Sequence, residues 1–201
     1  MSKGAPGVRY AEVERETETT RTQVVLDLDG GTRRDVSTGI GAFDSFLKLL
    51  AAHASLDVGI SVESEGGSDD TPIVTEVGSA VGMALRIALT DSDGNLRSVS
   101  VTEPVADALV LIALDFSGRG QLVFNVEFAR EQLGGLSCQN IQEFFRAMSL
   151  ESGVTLHIHK LHGANDHFVV EAIFRAVGRC IFDATRPLER ASSPGRKGNL
   201  A

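Results

Sequence analysis

The feature that most restricts what this chain can fold into is an internal duplication. Sliding the sequence along itself by 96 residues lays Asp70-Thr71-Pro72-Ile73-Val74-Thr75 over Asp166-His167-Phe168-Val169-Val170-Glu171. The same slide puts Val58 on Val154, Ile60 on Leu156, Val62 on Ile158 and Gly82 on Gly178. A slide of 98 puts Phe43-Asp44-Ser45-Phe46-Leu47 on Ile141-Gln142-Glu143-Phe144-Phe145, and one loop can absorb the two-residue difference. Agreement across two helical patterns and a strand points to duplication rather than coincidence.

Each half reads as ββαβα. In the first, residues 20–28 alternate apolar and polar, 33–37 form a second strand, and 39–52 carry Phe43, Phe46, Leu47 and Leu50 at helical spacing. Residues 56–62 alternate again, and 72–89 form a long helix with small residues on one face. In the second half the strands are 105–114, 122–128 and 154–161, and the helices 140–150 and 166–185. The expected fold class is α+β, with duplicated ββαβα half-domains and mixed sheets packed against helices. The expected boundaries are a leader at 1–14, repeats at 15–92 and 93–186, and a tail at 187–201.

Composition limits the partners. A formal net charge of −8 argues against nucleic acid or an anionic membrane. Cys138 and Cys180 form no CxxC pair, which fits a reducing compartment. No apolar h-region opens the chain, and the longest purely apolar run, 108–114, is far short of a bilayer span. The expected location is the cytoplasm.

The chemistry concentrates in residues 156–184, which hold His157, His159, His162 and His167, four of the five histidines. Asn165-Asp166 sits where a helix N-cap belongs. His167 and Glu171 follow four residues apart on one helical face, a spacing for an acid/base pair or a shared ligand. His157 and His159 share one face of a strand and suit either a metal pair or a structural role. His53 ends a helix, where the dipole favours an imidazolium.

The sequence resembles the imidazoleglycerol-phosphate dehydratase family, the di-manganese lyases of histidine biosynthesis, from about residue 15 to 200. The carriers are Arg15-x-Thr17, Asp29-Gly30, Thr38-Gly39-Ile40-Gly41 before Phe43-Asp44, His53, Arg97 ahead of Pro104, and Asp115 through Arg119. Phe144-Phe145 and the run Leu156-His157-Ile158, Leu161 through His167, and Glu171-Ala172-Ile173-Phe174 complete them. The resemblance implies a fold like the second domain of ribosomal protein S5 and a large closed homo-oligomer. It also implies substrate phosphate contacts at Arg97, Arg119 and Lys197, with His53 near the substrate. The resemblance puts the family's metal ligands on Ser45, Thr71, Pro72, Thr75, Glu143 and Phe168, which leaves His167 and Glu171, with Glu143 as a third remnant metal position. The family's strand-one glutamate falls on Thr19, with Glu18 beside it on the opposite face of an expected strand.

Manganese needs about six hard or borderline donors, so no cofactor is expected here although the family uses Mn. The leading expectation is a diverged member that binds a phosphorylated small molecule without Mn-dependent dehydration. The alternatives are an active lyase with a rebuilt site (His167, Glu171, Glu143, Asp107) and a structural or regulatory subunit co-assembling with an intact paralogue.

Overall fold

In a computed structural model of the chain, residues 9–64, 69–90 and 98–186 are described. The elements run β1 (Tyr10–Glu16), β2 (Thr20–Asp27), β3 (Arg34–Ser37), α1 (Gly41–Ala54), β4 (Asp57–Ser64) and α2 (Thr71–Leu89). Then follow β5 (Ser98–Val105), β6 (Ala108–Asp115), β7 (Gln121–Asn125), the short hairpin β8 (Gln132–Leu133) and β9 (Leu136–Ser137), α3 (Cys138–Ser152), β10 (Thr155–His162) and α4 (Asp166–Thr185).

The duplication is explicit in the topology. One sheet has the order β1-β2-β4-β3 and the other β5-β6-β10-β7. In each, the first three strands pair antiparallel and the last pairs parallel. Each four-stranded sheet therefore carries one strand more than the sequence pattern predicts, β1 in the first and β5 in the second, and the β8–β9 hairpin is a further addition to the second half. β1 and β5 are edge strands with weak apolar signals. β1 alternates Glu12, Glu14 and Glu16 with Ala11, Val13 and Arg15, so it claims residues from the predicted leader. β5 is rich in hydroxyls and carries Pro104 one residue before its end, which an edge strand tolerates because the missing N–H costs no ladder bond. Glu18 and Thr19, which the resemblance puts on a strand, lie with Thr17 in the exposed β1–β2 turn. There Thr17 Oγ1 accepts from the N–H groups of Thr19 and Thr20, so Glu18 and Thr19 have no strand faces to occupy.

Helices join the halves. α2 lies on β1 and β2 and against α3, while α4 lies on β5 and β6 and against α1. Each long helix thus covers its own sheet and packs on the first helix of the other half. By length and composition α2 passes as a membrane span, but its apolar character is accounted for by burial between a sheet and α3. Close packing needs glycine. A Cβ on Gly78 or Gly82 would lie 2.5 Å from the Phe144 or Met148 carbonyl oxygen of α3. The duplicated Gly178 meets the Leu50 carbonyl of α1 in the same way, a hard overlap for any side chain. At the centre, Phe144 stacks on Phe174 at 5.6 Å and meets Phe43 edge-on at 5.3 Å, and Phe46 stacks on Phe174 at 5.4 Å. Burying each ring contributes roughly 1.5–3 kcal/mol.

Gly178→Ala and Gly82→Ala are expected to destabilise the fold by about 1–3 kcal/mol through overpacking, read as a lowered denaturation midpoint. Gly31→Ala, with nothing within 4 Å of the new methyl, is expected to stay within about 0.5 kcal/mol of the parent.

Candidate functional site

The start of α4 is set by three local interactions. Asn165 is the N-cap, its side chain accepting from the His167 N–H at 3.0 Å. Asp166 is 1% exposed and its Oδ2 accepts from the N–H groups of Ala129 and Arg130 at 2.9 and 2.8 Å. Asp107, on the β5–β6 turn, accepts from the N–H groups of Ala164 and Asn165 at 2.8 and 3.3 Å. These N–H groups, Ala164's first, hold the Asp107 carboxyl below the usual carboxylate range. Asp107 therefore clamps the β10–α4 turn, and both N–H bonds favour its ionised form. Its backbone oxygen also contacts His162 Nδ1 at 3.0 Å.

His167 follows, 57% exposed along its side chain, with its ring 5.5 Å from that of Phe46. Its Nε2 stands 3.9 Å from Glu171 Oε2, an ion-pair distance rather than a hydrogen bond. The other Glu171 oxygen accepts from Arg175 one turn further on. His167, Glu171 and Arg175 thus form a row along α4 at a period of four, as facing neighbours on a helix must. The spacing made the first two legible in the sequence; Arg175 was the same step again and was missed.

The row leads to His53. In the last turn of α1, its Cβ lies 3.0 Å from where a Gly178 Cβ would be. It sits within electrostatic reach of Arg175, Glu103, Arg179 and Arg34, and burial first, then the Arg175 charge, push it below its ordinary 6.5. This reverses the sequence expectation, since a helix C-terminus alone would favour the charged form. Arg179 donates to the buried Glu103 at 2.5 Å. The Nε groups of Arg34 and Arg175 are buried and have no acceptor among the described residues.

The remaining candidates lie apart. Glu143 pairs with Arg146 at 3.3 Å and forms no cluster with His167 and Glu171. Arg119 is exposed on the β6–β7 turn with no side-chain partner among the described residues. That turn adjoins the start of β10, where Gly118 meets Gly153, and His167 follows the end of β10. An eight-residue strand places the two ends about 25 Å apart. Arg97 and Lys197 lie outside the described residues.

Fold and site together define a duplicated α+β protein whose polar centre is carried by the first and last helices. Comparison with known proteins narrows that class. The family model for imidazoleglycerol-phosphate dehydratase matches residues 38–181. The chain is 40% identical over 195 residues to the imidazoleglycerol-phosphate dehydratase of Cereibacter sphaeroides strain KD131, covering 96% of this chain and 100% of that one. It is 41% identical over 192 residues to that of Clostridium botulinum strain Alaska E43, covering 96% and 98%. Among solved structures it resembles the Staphylococcus aureus N315 dehydratase, with a TM-score of 0.77, 26% identity, and coverage of 88% of this chain and 98% of that one. The Pyrococcus furiosus enzyme in complex with (S)-C348 also gives a TM-score of 0.77 at 26% identity, covering 90% and 98%. The chain belongs to the imidazoleglycerol-phosphate dehydratase family.

Among the described residues no three His, Cys, Asp or Glu side chains converge as a metal site. Ser45 bonds back to the Gly41 carbonyl at 3.0 Å, Thr71 exchanges hydrogen bonds with Asn140, and Glu171 is held by Arg175.

The depressed His53 pKa sets a pH dependence. The unfolded chain protonates at about 6.5 and the folded chain at lower pH, so the unfolded state takes up the proton first as pH falls. The His53 contribution to stability is therefore present above 6.5 and lost below it. A ¹H–¹⁵N titration of the imidazoles is expected to give His53 a midpoint below 6.5, and His53→Gln is expected to flatten the stability slope there.

Proposed function

We propose that the chain binds a phosphorylated small molecule of the kind its relatives are named for, in the cytoplasm, without a di-manganese centre. The supporting observation is that the buried Nε donors of Arg34 and Arg175 have no partner among the described residues, within electrostatic reach of a His53 held below its ordinary pKa. A phosphate oxygen supplies the acceptor both lack, and a bound dianion raises the His53 pKa so that the ring becomes a third donor. Guanidinium forks suit that geometry. Arg97, Arg119 and Lys197 are proposed to complete the anion site. With Arg119 and His167 at opposite ends of β10, such a site needs a second copy of the chain, and a homo-oligomer supplies it.

The comparisons favour a second reading. Identity of 40% over the full length of a relative named as the dehydratase is more than fold retention alone requires, and it favours an active carbon–oxygen lyase with a rebuilt site. In that reading His167 moves the proton while Glu171, tied to Arg175, orients the ring and stabilises its charged form. Glu143, paired with Arg146, has no place in it.

Calorimetric titration with imidazoleglycerol phosphate and inorganic phosphate, beside a dehydration assay with and without Mn²⁺, separates the two. Binding that weakens about tenfold in Arg175→Gln, with no turnover in either condition, carries the first reading. Turnover without Mn²⁺ that is lost in His167→Gln establishes the second. Two Mn²⁺ per chain with Mn-dependent turnover overturns the metal-free site in both.

A further inference from the structure

His157 and His159 lie outside the centre just described. They alternate on β10, so both project from the outer face of the second sheet. Their rings stack side by side, with centroids 6.2 Å apart and planes 14° apart. Both are partly exposed, and neither forms a salt bridge with a carboxylate among the described residues. The register leaves room around them, because His157 lies between Ala113 and Val123, and His159 between Leu111 and Asn125. The side-chain amide of Asn125 stands 3.4 Å from His159 Nδ1.

We propose that this pair is a peripheral site for a borderline transition-metal ion such as Ni²⁺ or Zn²⁺. Imidazole nitrogens suit these ions, whereas Mn²⁺ prefers oxygen donors. The lone pairs lie in the ring planes, so metal–nitrogen bonds of about 2.0–2.1 Å are reached when rotation of both side chains draws their nitrogen edges together on one ion from the present 6.2 Å centroid separation. Asn125 supplies the orienting contact. With its amide turned so that Oδ1 faces His159, it accepts from Nδ1–H and leaves Nε2 for the ion, the outer-shell arrangement that metal-ligating histidines make. Water fills the remaining positions, since the face is open. The site does not depend on the phosphate reading, and its failure leaves that reading intact.

The test adds Ni²⁺ to the full chain at neutral pH and follows the histidine ring protons by NMR, with affinity measured by calorimetry. The expected result is selective broadening of the His157 and His159 resonances, with those of His53, His162 and His167 much less affected. Asn125→Ala is expected to weaken binding about tenfold, and the H157Q/H159Q double variant to reduce it to background while its thermal melt stays cooperative. Unchanged affinity in the double variant, or broadening centred on His167, would overturn the proposal.

Discussion

The close approach of helix backbones across the two halves is the constraint on which the rest of the structure depends. Gly78 and Gly82 let α2 ride on the carbonyls of α3, and Gly178 lets α4 ride on α1. Only at that separation do the phenylalanines of α1, α3 and α4 meet as one cluster, with Phe144 and Phe174 at 0% exposure. The cluster in turn fixes the rotation of α4 about its axis. Phe174 points inward, so Arg175 and Glu171, neighbours on the next strip of the helix, lie along its rim. His53 reaches the same rim because α1 crosses α4 at Gly178. A site made from two helices of different halves is thus a consequence of how the halves are joined.

Electrostatics then decide what that rim can hold. Glu171 is mostly buried, at 19% side-chain exposure, and its charge is met by Arg175. A buried carboxylate without a counter-ion would be costly, and in a metal enzyme the metal supplies the counter-ion. Here a guanidinium of the same helix does so. Introducing a divalent cation at Glu171 would displace or repel Arg175, leaving a second charge to be solvated. On the His53 side the charges are mixed: Arg175, Arg179 and Arg34 act on the ring together with the Glu103 carboxylate, which Arg179 engages.

The fold was readable wherever a segment carried a strong period. The central strands β2 and β6 bury one face completely, and β4 and β10 bury one face over their first half, and that face wrote the alternation into the sequence. The edge strands β1 and β5 were not readable because each has a covered face of modest apolar content and an outer face of carboxylates or hydroxyls. At the site, the i, i+4 step identified His167 and Glu171, but not the third step to Arg175, whose role depends on His53 from another helix. The clamping role of Asp107 was not readable, because its carboxylate is engaged by backbone N–H groups 57 and 58 positions away in sequence, a contact no local pattern encodes.

The two halves also show what divergence kept. Asp70 and Asp166 occupy duplicated positions, and each spends its carboxylate on N–H donors from a distant segment of the chain. Asp70 accepts from Ser137 N–H and the Asn140 amide, and Asp166 from Ala129 and Arg130. Losing either would leave buried donors unpaired, a cost of about 1–3 kcal/mol, and stability alone is enough to hold both in place. The next residues carry no such duty. Thr71 in the first half turns to Asn140 and helps tie α2 to α3, while His167 in the second half stands open to solvent over Phe46. Stability therefore accounts for the aspartates but not for an exposed histidine above an aromatic ring and beside a carboxylate. That asymmetry is the physical reason to look for chemistry at the second half of the duplication and for a structural latch at the first.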